Sequence, residues 1–94
     1  MPKGKTTGSF NKQYIKLILS QPELRETIDS KIKLFVNKPE DTRLRNHSLK
    51  RRLRGKWAFS ITNDIRIIYE KRGNNQVRFL QIGTHKEVYT KKTK

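Results

Sequence analysis

Two histidines, His47 and His85, an isolated acid and a large surplus of lysine and arginine are the groups in this sequence best able to do chemistry. Histidine has an unperturbed pKa of about 6.5, so it can both take and give a proton near neutral pH. RNA carries its own nucleophile, the 2′-hydroxyl. Cutting it without a metal needs only a base for that hydroxyl, an acid for the leaving 5′-oxygen, and cations for the charge that develops on the phosphate. The same composition also suits a basic protein that binds and does no chemistry. Other chemistries are poorly served. There is no cysteine, Glu40 and Asp41 are merely adjacent, and no His-x-x-x-His or calcium-loop spacing occurs, so no metal is expected. No Gly-rich phosphate loop implies a nucleotide cofactor, and no G-x-S-x-G element supports a serine triad.

The charge narrows the partner. With 23 basic and 8 acidic residues the chain carries +15, more than solubility asks for, and such a surface attracts polyanions. Nucleic acid is preferred to a membrane surface, because no basic stretch carries a wide apolar face. The 94 residues make one domain with a modest core. No apolar run approaches the roughly 18 residues of a membrane span. Residues 1–8 lack the apolar centre of a signal peptide, and the missing cysteines fit a reducing compartment, so a cytoplasmic protein is expected.

Three zones must position these groups. Phe10, Tyr14, Leu17 and Ile18 share one helical face, with Ser9 as the expected N-cap. Ser20-Gln21-Pro22-Glu23 reads as a capping box that opens a second helix, continued by Leu24, Ile28, Ile32, Phe35 and Val36 and stopped at Asn37-Lys38-Pro39. Residues 8–37 are therefore a helical hairpin, with Tyr14 and Phe35 in its core. Residues 43–56 form a basic connection, and no carboxylate occurs between Asp41 and Asp64. Its Arg43, Arg45, Lys50, Arg51, Arg52, Arg54 and Lys56, with His47, are an electrostatic footprint for phosphates, anchored by Leu44, Leu49 and Leu53.

Residues 56–89 read as an antiparallel sheet. Trp57, Phe59 and Ile61 alternate, as do Ile65, Ile67 and Tyr69, then Val77 and Phe79. Turns at Thr62-Asn63-Asp64 and Gly73-Asn74-Asn75 join the three strands. Ile65, Ile67 and Tyr69 can face the helices, leaving Asp64, Arg66 and Ile68 on the opposite face, where Arg66 has Glu70 or Asp64 as a structural partner. Residues 3–7 are a candidate fourth strand, and residues 90–94 a polar, basic tail. The expected fold is α+β, an N-terminal helical hairpin on a small antiparallel sheet of three to four strands.

Four runs of residues in order carry a resemblance. They are Asn46-His47-Ser48-Leu49-Lys50, Leu53-Arg54-Gly55-Lys56-Trp57, Asp64-Ile65-Arg66-Ile67-Ile68-Tyr69 and Ile82-Gly83-Thr84-His85-Lys86-Glu87-Val88-Tyr89. With the helix pair before them, they resemble the RelE/ParE toxin superfamily, and within it the YafQ-like branch of type II toxin–antitoxin systems, from about Phe10 to Tyr89. The resemblance implies a ribosome-associated mRNA endonuclease of microbial RNase fold that inhibits translation and is neutralised by a cognate antitoxin. It implies His85 as the leading general acid–base, His47 as a base or phosphate-contacting residue, and Asp64 as a group that orients proton transfer or acts as a base. Arg66 is implied to stabilise the phosphorane charge, and Tyr89 to stack on a base or orient the phosphate. Lys50, Arg51, Arg52, Arg54, Lys56 and Lys86 are the expected RNA-binding residues.

The sequence departs from the branch pattern twice. Ser60 stands where a histidine often precedes the strand aspartate, and Ile65 where a tryptophan often follows it. His47, Asp64 and His85 together favour the nuclease. The alternatives are a ParE-like inhibitor of DNA gyrase, which does not need that set, and a non-catalytic RNA- or ribosome-binding module. An acidic, partly disordered antitoxin segment that folds on the basic surface suits the charge in the toxin readings.

Overall fold

Two helices cover one face of a five-stranded sheet, and a third helix, with Leu49 from the loop after the short edge strand, covers part of the other. The structure, a computed structural model, describes residues 3–90. In chain order the elements are β1 (Lys3–Thr6), α1 (Gly8–Ser20), α2 (Leu24–Asn37), β2 (His47–Ser48), β3 (Trp57–Ser60), β4 (Ile65–Lys71), β5 (Gln76–Thr84) and α3 (His85–Thr90). Single 3-10 turns at Thr42–Leu44 and Arg51–Leu53 flank β2. The sheet order is β1-β5-β4-β3-β2. β1 lies parallel to β5 and the other pairs are antiparallel, so the sheet is mixed and has five strands rather than three or four.

The helical hairpin forms as its periodicity requires. Phe10, Ile28 and Phe35 are buried, with Tyr14, Leu17, Ile18, Leu24, Ile32 and Val36 packed around them. Phe35 stacks on Phe59 at 4.4 Å between ring centroids and meets Tyr69 edge-on at 4.9 Å. Truncating such a core phenylalanine costs about 3–5 kcal/mol.

Both expected helix starts are corrected. The hydroxyl of Thr7, not of Ser9, accepts the Phe10 N–H at 3.1 Å, because Thr7 is still extended whereas Ser9 is already in the helix. The Ser20 hydroxyl donates back to the Leu17 carbonyl, so it belongs to the end of α1. Glu23 is then itself the N-cap position of α2 and makes no capping bond.

The sheet alternates as expected through β4. Ile65, Ile67 and Tyr69 enter the main core, while Ile68 joins Ala58 and Val88 in a second cluster on the other face. β5 carries an extra residue at Leu80, because Tyr69 pairs with Phe79 and Ile68 with Gln81. Such a bulge shifts the alternation. Val77, Phe79 and Ile82 all reach the main core, and Leu80 packs with the second cluster. Gln13 of α1 accepts the Ile82 N–H at 2.9 Å, occupying the edge of β5 beyond the end of β1.

The expected strand through residue 89 is also corrected. His85–Thr90 is a helix, and it takes Thr90 out of the expected tail, whose residues 91–94 lie outside the described ones. Thr84 and Glu87 explain the change. The Thr84 hydroxyl accepts the Glu87 N–H at 3.1 Å and the Glu87 carboxylate accepts the Thr84 N–H at 2.9 Å, a reciprocal capping box. Gly83 permits it, since a Cβ there would meet Glu87 Oε1 at 3.0 Å. No described helix is long and apolar enough to cross a membrane.

Candidate active site

The sheet face opposite the helical hairpin carries an open cleft of about 480 Å³ lined by Arg45, His47, Leu49, Ser60, Arg66, His85 and Tyr89. Four elements meet there. β2 and the residues on either side of it bring Arg45, His47 and Leu49, β3 ends in Ser60, β4 presents Arg66, and α3 presents His85 and Tyr89. None of the described residues that line the cleft is a carboxylate.

Each side chain has a physical reason for its place. Arg66 Nη1 donates to the Thr62 carbonyl at 2.7 Å and to the Ile65 carbonyl at 3.3 Å. Its charge is therefore held by main-chain oxygens, while Glu70 pairs with Arg72 and Arg78 instead. His85 donates its backbone N–H to the Asp64 carbonyl at 2.7 Å, which ties the start of α3 to the β3–β4 turn. One turn on, Tyr89 sets its ring edge-on to His85, with centroids 4.4 Å apart. The Tyr89 hydroxyl is buried without a hydrogen-bond partner among the described residues. Burial pushes the Tyr89 phenol up, with the Arg66 charge pulling the other way, so it stays a neutral donor at physiological pH. Val88, between them on α3, is buried against Ala58 and Ile68.

His47 and the loop before it are fixed just as locally. Asp41 accepts the Arg43 N–H at 2.9 Å and both Nε and Nη2 of the Arg43 guanidinium at 3.0 Å. Those bonds pull the Asp41 carboxyl down to about 2. The turn they stabilise ends in buried Leu44, and Arg45 follows in the left-handed region, at φ 50° and ψ 40°.

Of the residues expected to act, His47, Arg66, His85 and Tyr89 come together in the cleft. Asp64 does not line it. Its carboxylate is exposed on the β3–β4 turn, and its contribution to the site is the carbonyl that holds His85. Among the expected RNA-binding residues, Lys50, Arg51, Arg54 and Lys86 are exposed and Lys56 is half-buried, all outside the lining, and Arg52 lies in the Arg51–Leu53 turn. Arg45, expected only as part of the basic footprint, and Leu49, expected only as an anchor, line the cleft as well. Ser60, noted as a departure, is buried in the lining at the end of β3. Among the described residues no three His, Cys, Asp or Glu side chains gather in a way that can hold a metal ion.

Helical hairpin, mixed sheet and capped third helix together make this a RelE-like toxin fold. Solved structures agree. YafQ from E. coli strain BL21(DE3) superposes with a TM-score of 0.77 at 20% identity, over 95% of this chain and 99% of that one. A copper-bound mutant toxin from Helicobacter pylori gives 0.78 at 24% identity, over 95% and 100%. The toxin of the E. coli DinJ-YafQ complex gives 0.75 at 20%, over 95% and 99%. No curated protein matches by sequence. The model of the YafQ family, bacterial toxins of type II toxin–antitoxin systems, matches residues 3–90, and the chain belongs to that family.

Proposed function

We propose that this toxin is a metal-independent endoribonuclease that cuts mRNA on the ribosome and so arrests translation and growth. The observation that carries the reading is the make-up of the cleft, two imidazoles and two guanidiniums with no carboxylate among the lining residues. One imidazole takes the proton of the 2′-hydroxyl and the 2′-oxygen attacks phosphorus. The bond from phosphorus to the 5′-oxygen breaks, and the other imidazole protonates that oxygen. The products are a 2′,3′-cyclic phosphate and a 5′-hydroxyl. Arg66, with its backbone-anchored guanidinium, stabilises the charge on the phosphorane. Neutral Tyr89 donates to a phosphate oxygen or stacks on a base while its ring steadies His85. Asp64 orients His85 through the turn it shares with it. Lys50, Arg51, Arg52, Arg54, Lys56 and Lys86 hold the mRNA backbone and ribosomal RNA.

The partner follows from family and charge. A toxin of this fold is bound by DinJ in the E. coli toxin–antitoxin complex. A cognate acidic antitoxin that folds over the helices and the cleft answers the +15 charge of this chain, in the cytoplasm. High salt should weaken such a complex.

The test is cleavage of ribosome-bound mRNA by the purified toxin. The expected product ends in a 2′,3′-cyclic phosphate, and a 2′-deoxynucleotide at the scissile position blocks the cut. His47→Ala and His85→Ala each lose roughly a hundred- to ten-thousand-fold in rate. A cut that persists at a 2′-deoxynucleotide refutes the mechanism. Tight, salt-sensitive RNA binding with no cut by any preparation makes the protein a binding module.

A further inference from the structure

We propose that Arg45, Asn46 and Tyr69 are positioning residues that lock His47 into one tautomer, with Nδ1 protonated and Nε2 left as the proton acceptor in the cleft. The inference begins with one contact. His47 Nδ1 lies 2.7 Å from the Arg45 carbonyl oxygen. A carbonyl oxygen accepts only, so Nδ1 must carry the hydrogen. The lone pair of the neutral ring is then at Nε2, and this ring lines the cleft. Neutral imidazole in water favours the opposite tautomer, so the carbonyl selects a form the free side chain disfavours.

The geometry that aims this carbonyl is unusual. Arg45 is in the left-handed region, which a Cβ disfavours and which persists where the surroundings over-determine it. Both sides of Arg45 do so. Before it, its own N–H donates to the Thr42 carbonyl at 3.2 Å, and Leu44 is fully buried. After it, the Asn46 amide makes two bonds. Nδ2 donates to the Pro39 carbonyl at 3.1 Å, and Oδ1 accepts the Tyr69 hydroxyl at 2.7 Å. The orientation of the amide is forced, because the Pro39 carbonyl can face only the NH₂ end. Tyr69 sits on β4 with its ring buried in the core, so the loop before His47 is fastened to the main sheet. His47 itself pairs with Ala58 of β3, which fixes the residue from the other side.

Under the nuclease reading on which this role rests, His47 is the base that takes the 2′-hydroxyl proton, and His85 is the acid. The tautomer does not depend on that reading, and the experiment separates the two. Nitrogen-15 NMR of the full chain reports which ring nitrogen of neutral His47 carries the hydrogen. The expected result is the Nδ1–H form. Tyr69→Phe keeps the ring in the core and removes only the bond to Asn46, and Asn46→Ala removes both bonds. Each should move His47 towards the Nε2–H form and lower kcat for ribosome-bound mRNA about ten- to a hundred-fold with little change in KM. Arg45→Gly keeps the carbonyl and suits the left-handed backbone, so its tautomer should stay Nδ1–H.

An Nε2–H tautomer in the native chain overturns the proposal whatever the activity. So does a tautomer and rate unmoved by both Tyr69→Phe and Asn46→Ala. An Nδ1–H tautomer that these variants do shift, in a protein that cuts no RNA, upholds the positioning and refutes the nuclease reading instead.

Discussion

Substituting Thr84 by alanine removes the hydroxyl that accepts the Glu87 N–H and leaves the bond from the Thr84 N–H to the Glu87 carboxylate in place. Loss of an N-cap hydroxyl costs about 1 kcal/mol. α3 has six residues, far below the length at which a helix stands alone in water, so it persists through its cap, the His85 bond to Asp64 and the burial of Val88. Taking 1 kcal/mol from that set lowers the ratio of docked to undocked α3 about fivefold. Hydrogen exchange at the α3 amides should therefore quicken about fivefold in Thr84→Ala. Where α3 opens only with the whole domain, the same loss lowers Tm by about 4–8 °C. Cleavage should fall by less than fivefold while the docked form remains the majority. His85→Ala, in contrast, removes the group that the nuclease reading makes an acid–base catalyst and should lose far more. Amide exchange by NMR beside a cleavage assay reads both effects. A Thr84→Ala variant as inactive as His85→Ala, with α3 exchange unchanged, would refute the reasoning, because the hydroxyl would then be acting on the substrate.

Three further outcomes follow from the same contacts. All three tyrosines, Tyr14, Tyr69 and Tyr89, have phenols pushed up, chiefly by burial. The folded state holds those protons more tightly, so this stability is full below the unfolded value of 10.0 and is lost as pH rises beyond it. Denaturant melts at rising pH should show a decline that is shallower in Tyr69→Phe, and native tyrosinate absorbance appearing at the unfolded value would contradict it. Asp41 behaves oppositely. Its carboxyl is lowered from 3.8 to about 2 by Arg43, so its contribution is present above 3.8 and lost as pH falls through about 2. Asp41→Asn should flatten the acid limb of the stability curve, and an unchanged limb counts against the bond. Arg66→Lys keeps the charge and loses the planar fork that reaches the Thr62 carbonyl and the cleft together, so cleavage should drop roughly ten- to a hundred-fold with the fold intact. Full activity of that variant in a single-turnover assay would remove Arg66 from the mechanism.

The parts of this fold legible in the sequence are those where burial repeats. Phe10, Tyr14, Leu17 and Ile18 mark one helix face, and Ile65, Ile67 and Tyr69 one sheet face, because a regular element must bury a regular set of side chains. β1 is faint for the converse reason. Its Lys3-Gly4-Lys5-Thr6 has no apolar residue, and it forms by pairing with β5. The bulge at Leu80 leaves no mark, since Val77 and Phe79 already satisfy a simple alternation. Two capping patterns competed. Ser20-x-x-Glu23 carries the residue types but falls one turn too early, whereas Thr84-x-x-Glu87 forms the box within the stretch expected to be sheet. At the site, His47 and His85 are legible as types able to act, and Arg66 and Tyr89 through the resemblance. The left-handed turn at Arg45 is not, because arginine carries no preference for it, and neither is the bond from Tyr69 to Asn46, which spans 23 residues.

The most direct test of the nuclease reading is inducible expression of the wild type and of His85→Ala in bacteria, with growth and mRNA 5′-end mapping followed in parallel. The expected result is growth arrest with new in-frame mRNA ends in the wild type and neither in the variant. Equal arrest by both proteins with mRNA left whole would contradict it and move the target elsewhere, DNA gyrase first.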